Sequence, residues 1–126
     1  MSLKQILVTS FQKKPWEIAS IRFPNTNYIY KNLNETPDEQ FDFIFCTEVL
    51  EHILHPHIPF KNLLKMMKEK SGLLITVPNG REDTYAGHIN FWSPESWNAF
   101  ISQNVENHKF ETGEIKPFGL YALIKN

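Results

Sequence analysis

Four side chains in this sequence have the types and spacing to hold a metal ion or to act on a hydroxyl group. Glu48, Glu51 and His52 stand at i, i+3 and i+4 of TEVLEHI, directly after the apolar run FDFIFC. That spacing puts all three on one face of a helix starting at the end of a buried strand. Two carboxylates and an imidazole so arranged can form half of an octahedral site for a hard divalent cation. His88, in GHINFW, can add a fourth ligand from a later loop. The alternative is structural: the glutamates cap or pair locally, and the histidine packs against the next loop. A histidine cluster at His52, His55 and His57 suits a loop surface better than zinc, because Pro56 interrupts it and no cysteine joins it. Cys46 ends the apolar run and reads as a small core residue rather than a nucleophile. Phe91, Trp92 and Trp97 either wall an acceptor pocket or pack the core.

The elements that must position these groups are written as short apolar runs. Phe41 to Cys46 is the pattern of a strand covered on both faces. Thr47 offers a side-chain oxygen as helix N-cap, and Glu48 lies where the helix dipole favours a carboxylate. Phe60 to Lys70 predicts an amphipathic helix ended by Gly72, with Phe60, Leu63, Leu64, Met66 and Met67 on one face. Leu73 to Val77 predicts a second buried strand, stopped by the turn Pro78-Asn79-Gly80. Ser93-Pro94-Glu95 opens a helix with Trp97, Phe100 and Ile101 inward. Lys109 to Ile115 and Gly119 to Lys125 predict an antiparallel hairpin across Lys116 to Phe118. Before the centre, Lys4 to Ser10 and Asn27 to Tyr30 read as strands, and Pro15 to Ile21 as a short helix. The sum is an α/β domain with parallel central strands and an antiparallel end.

Composition narrows the function classes. The chain has 126 residues, room for one domain, and 41% are hydrophobic. Lys and Arg number 13 against 14 Asp and Glu, so there is no basic field for nucleic acid phosphates. One cysteine excludes an intrachain disulfide and fits a reducing compartment. The longest apolar run, Leu120 to Ile124, is far short of the roughly 20 residues of a membrane helix. With no basic-then-apolar leader, a cytoplasmic protein without membrane contact is expected.

The ordered string FDFIFCTEVLEHI, an amphipathic helix, SGLLITVPNG and GHINFWSPESW resembles the C-terminal two thirds of a class I S-adenosylmethionine-dependent methyltransferase. The resemblance covers roughly Asn27 to Asn126 and implies a truncated Rossmann-like sheet whose last strand is antiparallel. Phe41 to Cys46 would be the family's fourth strand and Leu73 to Val77 its fifth. Ligands bind outside the carboxyl ends of such strands, which places Cys46, Thr47, Glu48, Pro78 and Asn79 at the rim. For the cofactor, the resemblance implies contacts from Cys46 and Thr47 and, near the adenine, Asn32. The family's glycine-rich first turn has no counterpart, since the five glycines are Gly72, Gly80, Gly87, Gly113 and Gly119. The acidic residue that ends the family's second strand is also missing, because Ile6 to Val8 is followed by Thr9, Ser10 and Phe11. The whole of 1–126 thus reads as a single methyltransferase-like domain lacking the N-terminal strand-loop-helix unit.

The motif E-x-x-E-H with a later histidine is similar to two metal-dependent branches, the ubiquinone-biosynthesis O-methyltransferases and the small-RNA terminal 2′-O-methyltransferases. That likeness implies Mg²⁺ held by Glu48, Glu51, His52 and His88, and O-methylation of a small hydroxylated acceptor, sugar-like or catechol-like, with S-adenosylmethionine as donor. The same four residues would orient the acceptor or take its proton. The competing expectation is a catalytically inactive remnant serving as a partner or regulatory subunit. In the full fold the first strand flanks the fourth, so here the edge of Phe41 to Cys46 needs a cover. Either Lys4 to Ser10 moves in beside it, or the edge is shared with a second copy or a complementing chain, and a homodimer is expected.

Overall fold

Alternating burial along the central strands decides the layering. The computed structural model describes residues 6–9, 17–18, 21–22, 33–35 and 38–126. Among these, five strands form one sheet: β1 (Ile6–Thr9), β2 (Phe41–Thr47), β3 (Met67–Pro78), β4 (Lys109–Ile115) and β5 (Gly119–Lys125), in the order β1-β2-β3-β5-β4. β1, β2 and β3 are parallel; β5 and β4 are antiparallel to their neighbours. Helices α1 (His57–Lys65) and α2 (Pro94–Asn104) accompany the sheet among the described residues. The α/β reading with parallel centre and antiparallel end is the observed architecture. Among the described residues, no helix is long and apolar enough to cross a membrane.

Register rows build the core. Ile44, Leu73 and Ile124 lie side by side, as do Cys46, Ile75 and Ala122, and all six are fully buried. Phe60 and Leu63 of α1 and Trp97 and Ile101 of α2 join the same apolar cluster. Each such Leu, Ile or Phe gains about 1.5–3 kcal/mol over an exposed position, so this layer carries the fold. Trp97 donates from Nε1 to the carbonyl of Tyr121 at 3.0 Å, and Trp92 packs edge-on to it with centroids 5.1 Å apart. Of the two readings for these tryptophans, core packing is what the structure shows. Phe91 stays exposed.

The edge of β2 is covered by the nearer of the two expected routes. Ile6, Leu7, Val8 and Thr9 pair in parallel with Phe43, Ile44, Phe45 and Cys46, so that side of β2 has its backbone partners.

Two local expectations are corrected. The helix expected from Phe60 to Lys70 spans His57–Lys65 instead, and β3 begins early, at Met67. The pairing with β2 jumps from Phe41↔Met67 to Phe43↔Gly72. Lys70 takes a positive φ of 58° in that excursion, and the Ser71 hydroxyl donates to the Lys68 carbonyl. Gly72 is therefore a strand residue rather than a helix end, and a Cβ there would meet the Phe43 ring at 2.7 Å. The helix expected at Thr47 is also absent. Glu48 adopts φ 56° and donates its N–H to the Thr76 carbonyl at 2.9 Å, extending strand pairing past Thr47. Only a three-residue 3₁₀ turn, Leu50–His52, follows, with no side-chain cap. The short helix expected at Pro15 to Ile21 agrees with the described residues there, since backbone is helical at Glu17, Ile18, Ile21 and Arg22. The strand expected at Asn27 to Tyr30 lies outside the described residues.

Candidate active site

The 3₁₀ turn after β2 and the loop after β3 meet at the carboxyl ends of the parallel strands, where an open α/β sheet holds its ligands. Asn90 makes the junction. Its Nδ2 donates to the carbonyls of Leu50 and Ile53 at 2.9 and 2.6 Å. The backbone N–H groups of Ile89 and Asn90 both donate to the Glu51 carbonyl, at 2.8 and 3.0 Å. GHIN thereby clamps LEH, and His88 is delivered beside Glu51 and His52.

Glu51 is buried, 1% exposed, and neither carboxyl oxygen has a hydrogen-bond donor. His52 Nε2 is 3.9 Å and His88 Nε2 4.0 Å from its Oε2. The two imidazoles meet edge to face, with centroids 4.6 Å apart. One ligand atom from each of Glu51, His52 and His88 lies within 4.8 Å of the others. That span slightly exceeds the roughly 4–4.6 Å between opposite ligands on an ion with bonds near 2.0–2.3 Å.

Burial pushes the Glu51 carboxyl up to about 8; a hydrogen bond that its protonated form gives to Glu48 and the charges of Glu48 and Asp83 act in the same direction. The orphaned oxygens and the raised value share one cause. Its own backbone N–H acts against the shift but makes no hydrogen bond to either oxygen, so a proton or a cation is what satisfies this carboxylate.

Sequence reasoning missed Asp83. Its Oδ2 lies 2.5 Å from His88 Nδ1, and because a carboxylate only accepts, Nδ1 carries the hydrogen. The His88 Nε2 lone pair is then left facing Glu51, the carboxylate–imidazole pairing that fixes the tautomer of a metal ligand or a general base. Asp83 stands five residues before His88 in a polar loop, and only the fold brings this carboxylate to the imidazole. Asn90 was likewise unread as a clamp, although it sits within the GHIN motif.

The other expected site residues divide. Glu48 is exposed, with its carboxylate beside Glu51 and accepting from Thr76 Oγ1 at 3.4 Å; it stands next to the three clustered ligands rather than among them. Thr47 is exposed at the end of β2 and pairs with Thr76. Cys46 is wholly buried. Desolvation pushes its thiol up to about 12, against the opposing hydrogen bond to Thr9, so at the rim it offers backbone alone. Asn32 lies outside the described residues. His55 and His57 are exposed, 6.1 Å apart by ring centroids, in keeping with the loop-surface reading.

Comparison with known proteins bears on this arrangement. The chain is 28% identical over 102 residues to the ubiquinone biosynthesis O-methyltransferase of Rickettsia bellii, with 79% of this chain and 40% of that protein aligned. It thus spans less than half the length of the curated relatives it matches. Its fold superposes on N-methyltransferase NodS from Bradyrhizobium japonicum WM9 with a TM-score of 0.70 at 16% identity, covering 96% of this chain and 72% of that one. An S-adenosylmethionine-dependent methyltransferase from Clostridium acetobutylicum ATCC 824 gives 0.72 at 9% identity, covering 98% and 75%. Residues 4–107 match the family profile described as a methyltransferase domain, which reaches from β1 through α2 and includes every residue of the Glu51 cluster. By that match and by its sheet, the chain belongs to the class I S-adenosylmethionine-dependent methyltransferase family.

Proposed function

We propose that this chain forms the acceptor side of an O-methyl-transfer site, in which Glu51, His52 and His88, with Glu48 beside them, hold a divalent cation against the acceptor hydroxyl. The observation that carries the reading is the buried Glu51 carboxylate with no donor, faced by two imidazole nitrogens at 3.9 and 4.0 Å. The donor set fits a cation: carboxylates suit both Mg²⁺ and Mn²⁺, and the two imidazoles tilt the preference toward Mn²⁺. When bound, such an ion would supply Lewis acidity that lowers the pKa of the acceptor hydroxyl. With its tautomer set by Asp83, His88 gives its Nε2 lone pair to the ion, which leaves the exposed Glu48 carboxylate beside the cluster to accept that hydroxyl's proton. The name of the Rickettsia relative, an O-methyltransferase, supports oxygen as the accepting atom. A cytoplasmic setting and a small hydroxylated acceptor, sugar-like or catechol-like, belong to the same proposal.

The cofactor side fits less well. S-adenosylmethionine would supply the methyl group, with Thr47, the Cys46 backbone and Asn32 near it, but this sequence has no glycine turn to let the backbone approach the ligand closely. The expected consequence is weak binding by the chain alone, with a dissociation constant above about 100 μM by calorimetric titration. Low-micromolar saturation would show that the strand ends suffice. That missing turn favours a second reading, a non-catalytic partner that completes its site with another copy or chain. The deciding assay incubates the chain with millimolar S-adenosylmethionine, Mn²⁺ and catechol, and looks for O-methyl catechol by mass spectrometry. Product that disappears with EDTA supports the enzyme; none at all supports the partner.

Asp83→Asn tests the relay. It leaves the shape intact but no longer holds Nδ1–H firmly, so Mn²⁺ affinity, read by electron paramagnetic resonance, is expected to fall about tenfold. Unchanged affinity would remove His88 from the ligand set.

A further inference from the structure

Beside the Glu51 cluster, the loop after β3 and the tip of the β4–β5 hairpin enclose a cleft of about 570 Å³, within the roughly 300–1,000 Å³ of small-molecule sites. Its floor is fixed: Asn79 is buried, donates its N–H to the Phe118 carbonyl at 2.7 Å and its Nδ2 to Glu114 at 3.3 Å. Its walls are aromatic and acidic. Tyr85 and Phe118 line it and are 60% and 64% exposed, leaving ring surface that a flat ligand would cover. The Tyr85 ring is seated over Gly87, where a Cβ would stand 2.4 Å from it, so its position is built in rather than adopted freely.

The charge in the cleft has one sign. Glu82 and Asp83 line it, and the described lining includes no lysine or arginine. Arg81, adjacent in sequence, is turned away into an ion pair with Glu95 at 2.6 Å. The cleft adjoins the cluster through two of its lining residues. Asp83 holds His88 Nδ1, and the Tyr85 ring lies 4.7 Å from the His88 ring. Tyr85 is thus shared between the cleft and the His88 side of the cluster.

We infer that this cleft is the acceptor pocket, and that it selects a ring-bearing hydroxylated acceptor without negative charge and rejects phosphorylated ones. The inference rests on the methyl-transfer reading for the word acceptor, but not for binding itself. Two aromatic walls supply stacking and dispersion to a flat ring. Two carboxylates with no counter-cation repel a phosphate and leave a neutral or ammonium-bearing ring favoured.

Binding is tested on the whole chain without cofactor or metal, by ligand-observed saturation-transfer NMR with catechol, dopamine and phenyl phosphate. Saturable signals are expected for catechol and dopamine, with phenyl phosphate at least about tenfold weaker at low salt. Glu82→Lys should narrow that gap to within about threefold, and Tyr85→Ala should weaken catechol about tenfold. Circular dichroism confirms that each variant is folded. Equal binding of all three probes, no binding of any, or catechol affinity unchanged in Tyr85→Ala would each overturn the inference. Selective binding without methyl transfer would leave the pocket standing and count against the catalytic reading alone.

Discussion

Replacing Glu51 by glutamine raises the thermal midpoint of unfolding above pH 8 in EDTA and flattens its dependence on pH. The sign follows from the two states. In the folded chain the Glu51 carboxyl titrates near 8, against an ordinary value of 4.5, so the folded state binds a proton that the unfolded state has released. This contribution to stability is fully present below about pH 4.5 and is lost progressively as pH rises to about 8. Glutamine keeps the shape and never ionises, and the gain above pH 8 is expected to be about 1–3 kcal/mol, the cost of leaving a buried polar group without a partner. At roughly 3–6 °C per kcal/mol for a chain of this size, calorimetry resolves it. Added Mn²⁺ reverses the order: it stabilises the wild type above pH 7 and leaves Glu51→Gln unmoved, because the amide is a poor ligand for a divalent ion. Mn²⁺ affinity of the variant should fall about 100-fold or more. A pH profile identical in the two proteins would mean that Glu51 is satisfied by some group other than a proton or a cation.

Much of this was legible in the sequence because two strong patterns carried it. The runs FDFIFC and LLITV encode buried parallel strands, and Ser93-Pro94 encodes a helix start that the structure realises with a reciprocal Ser93–Ser96 cap. The pairing of E-x-x-E-H with a later histidine correctly brought Glu51, His52 and His88 to one place. Its stated basis was wrong in detail. A helical i, i+3, i+4 face assumes 3.6 residues per turn, whereas Glu48 turns left-handed and the next three residues form a tighter 3₁₀ turn. Glu51 and His52 meet His88 because Asn90 ties the two segments together. Such a clamp is a long-range contact between a side chain and carbonyls 37 and 40 residues away, and no local pattern announces it. The same holds for Asp83 on His88. The early start of β3 was hidden for a different reason: Met66, Met67 and the lysines around them fit a helical stripe as well as a strand, and tertiary pairing with Phe41 decided between them.

The clamp depends on one position without a side chain, and Gly80→Ala is expected to undo it. Gly80 follows the buried Asn79 at the end of β3 and donates its N–H to the Trp92 carbonyl at 2.6 Å. An added Cβ would stand 2.2 Å from the Phe91 carbonyl carbon and 2.6 Å from both its oxygen and the Trp92 nitrogen. These are backbone atoms, so no rotamer change relieves the overlap, and the returning strand of the loop must move away. That movement breaks the Gly80–Trp92 bond and pulls on the segment holding His88, Ile89 and Asn90, whose hydrogen bonds fix the turn under Glu51. The expected loss is about 2–4 kcal/mol in chemical denaturation, since overpacking against backbone is compounded by freed buried carbonyls. Hydrogen exchange should localise it: the amides of Ile89 and Asn90 lose protection in Gly80→Ala, while those of Leu73 and Ile75 in β3 keep theirs at low denaturant. Mn²⁺ affinity should drop with the loop. Gly72→Ala is the control, because the overlap there is with the ring of Phe43, a side chain that can turn aside, and it leaves the His88 loop protected. Unaltered exchange at Ile89 and Asn90 in Gly80→Ala would show that Asn90 holds the site together without help from the β3 turn.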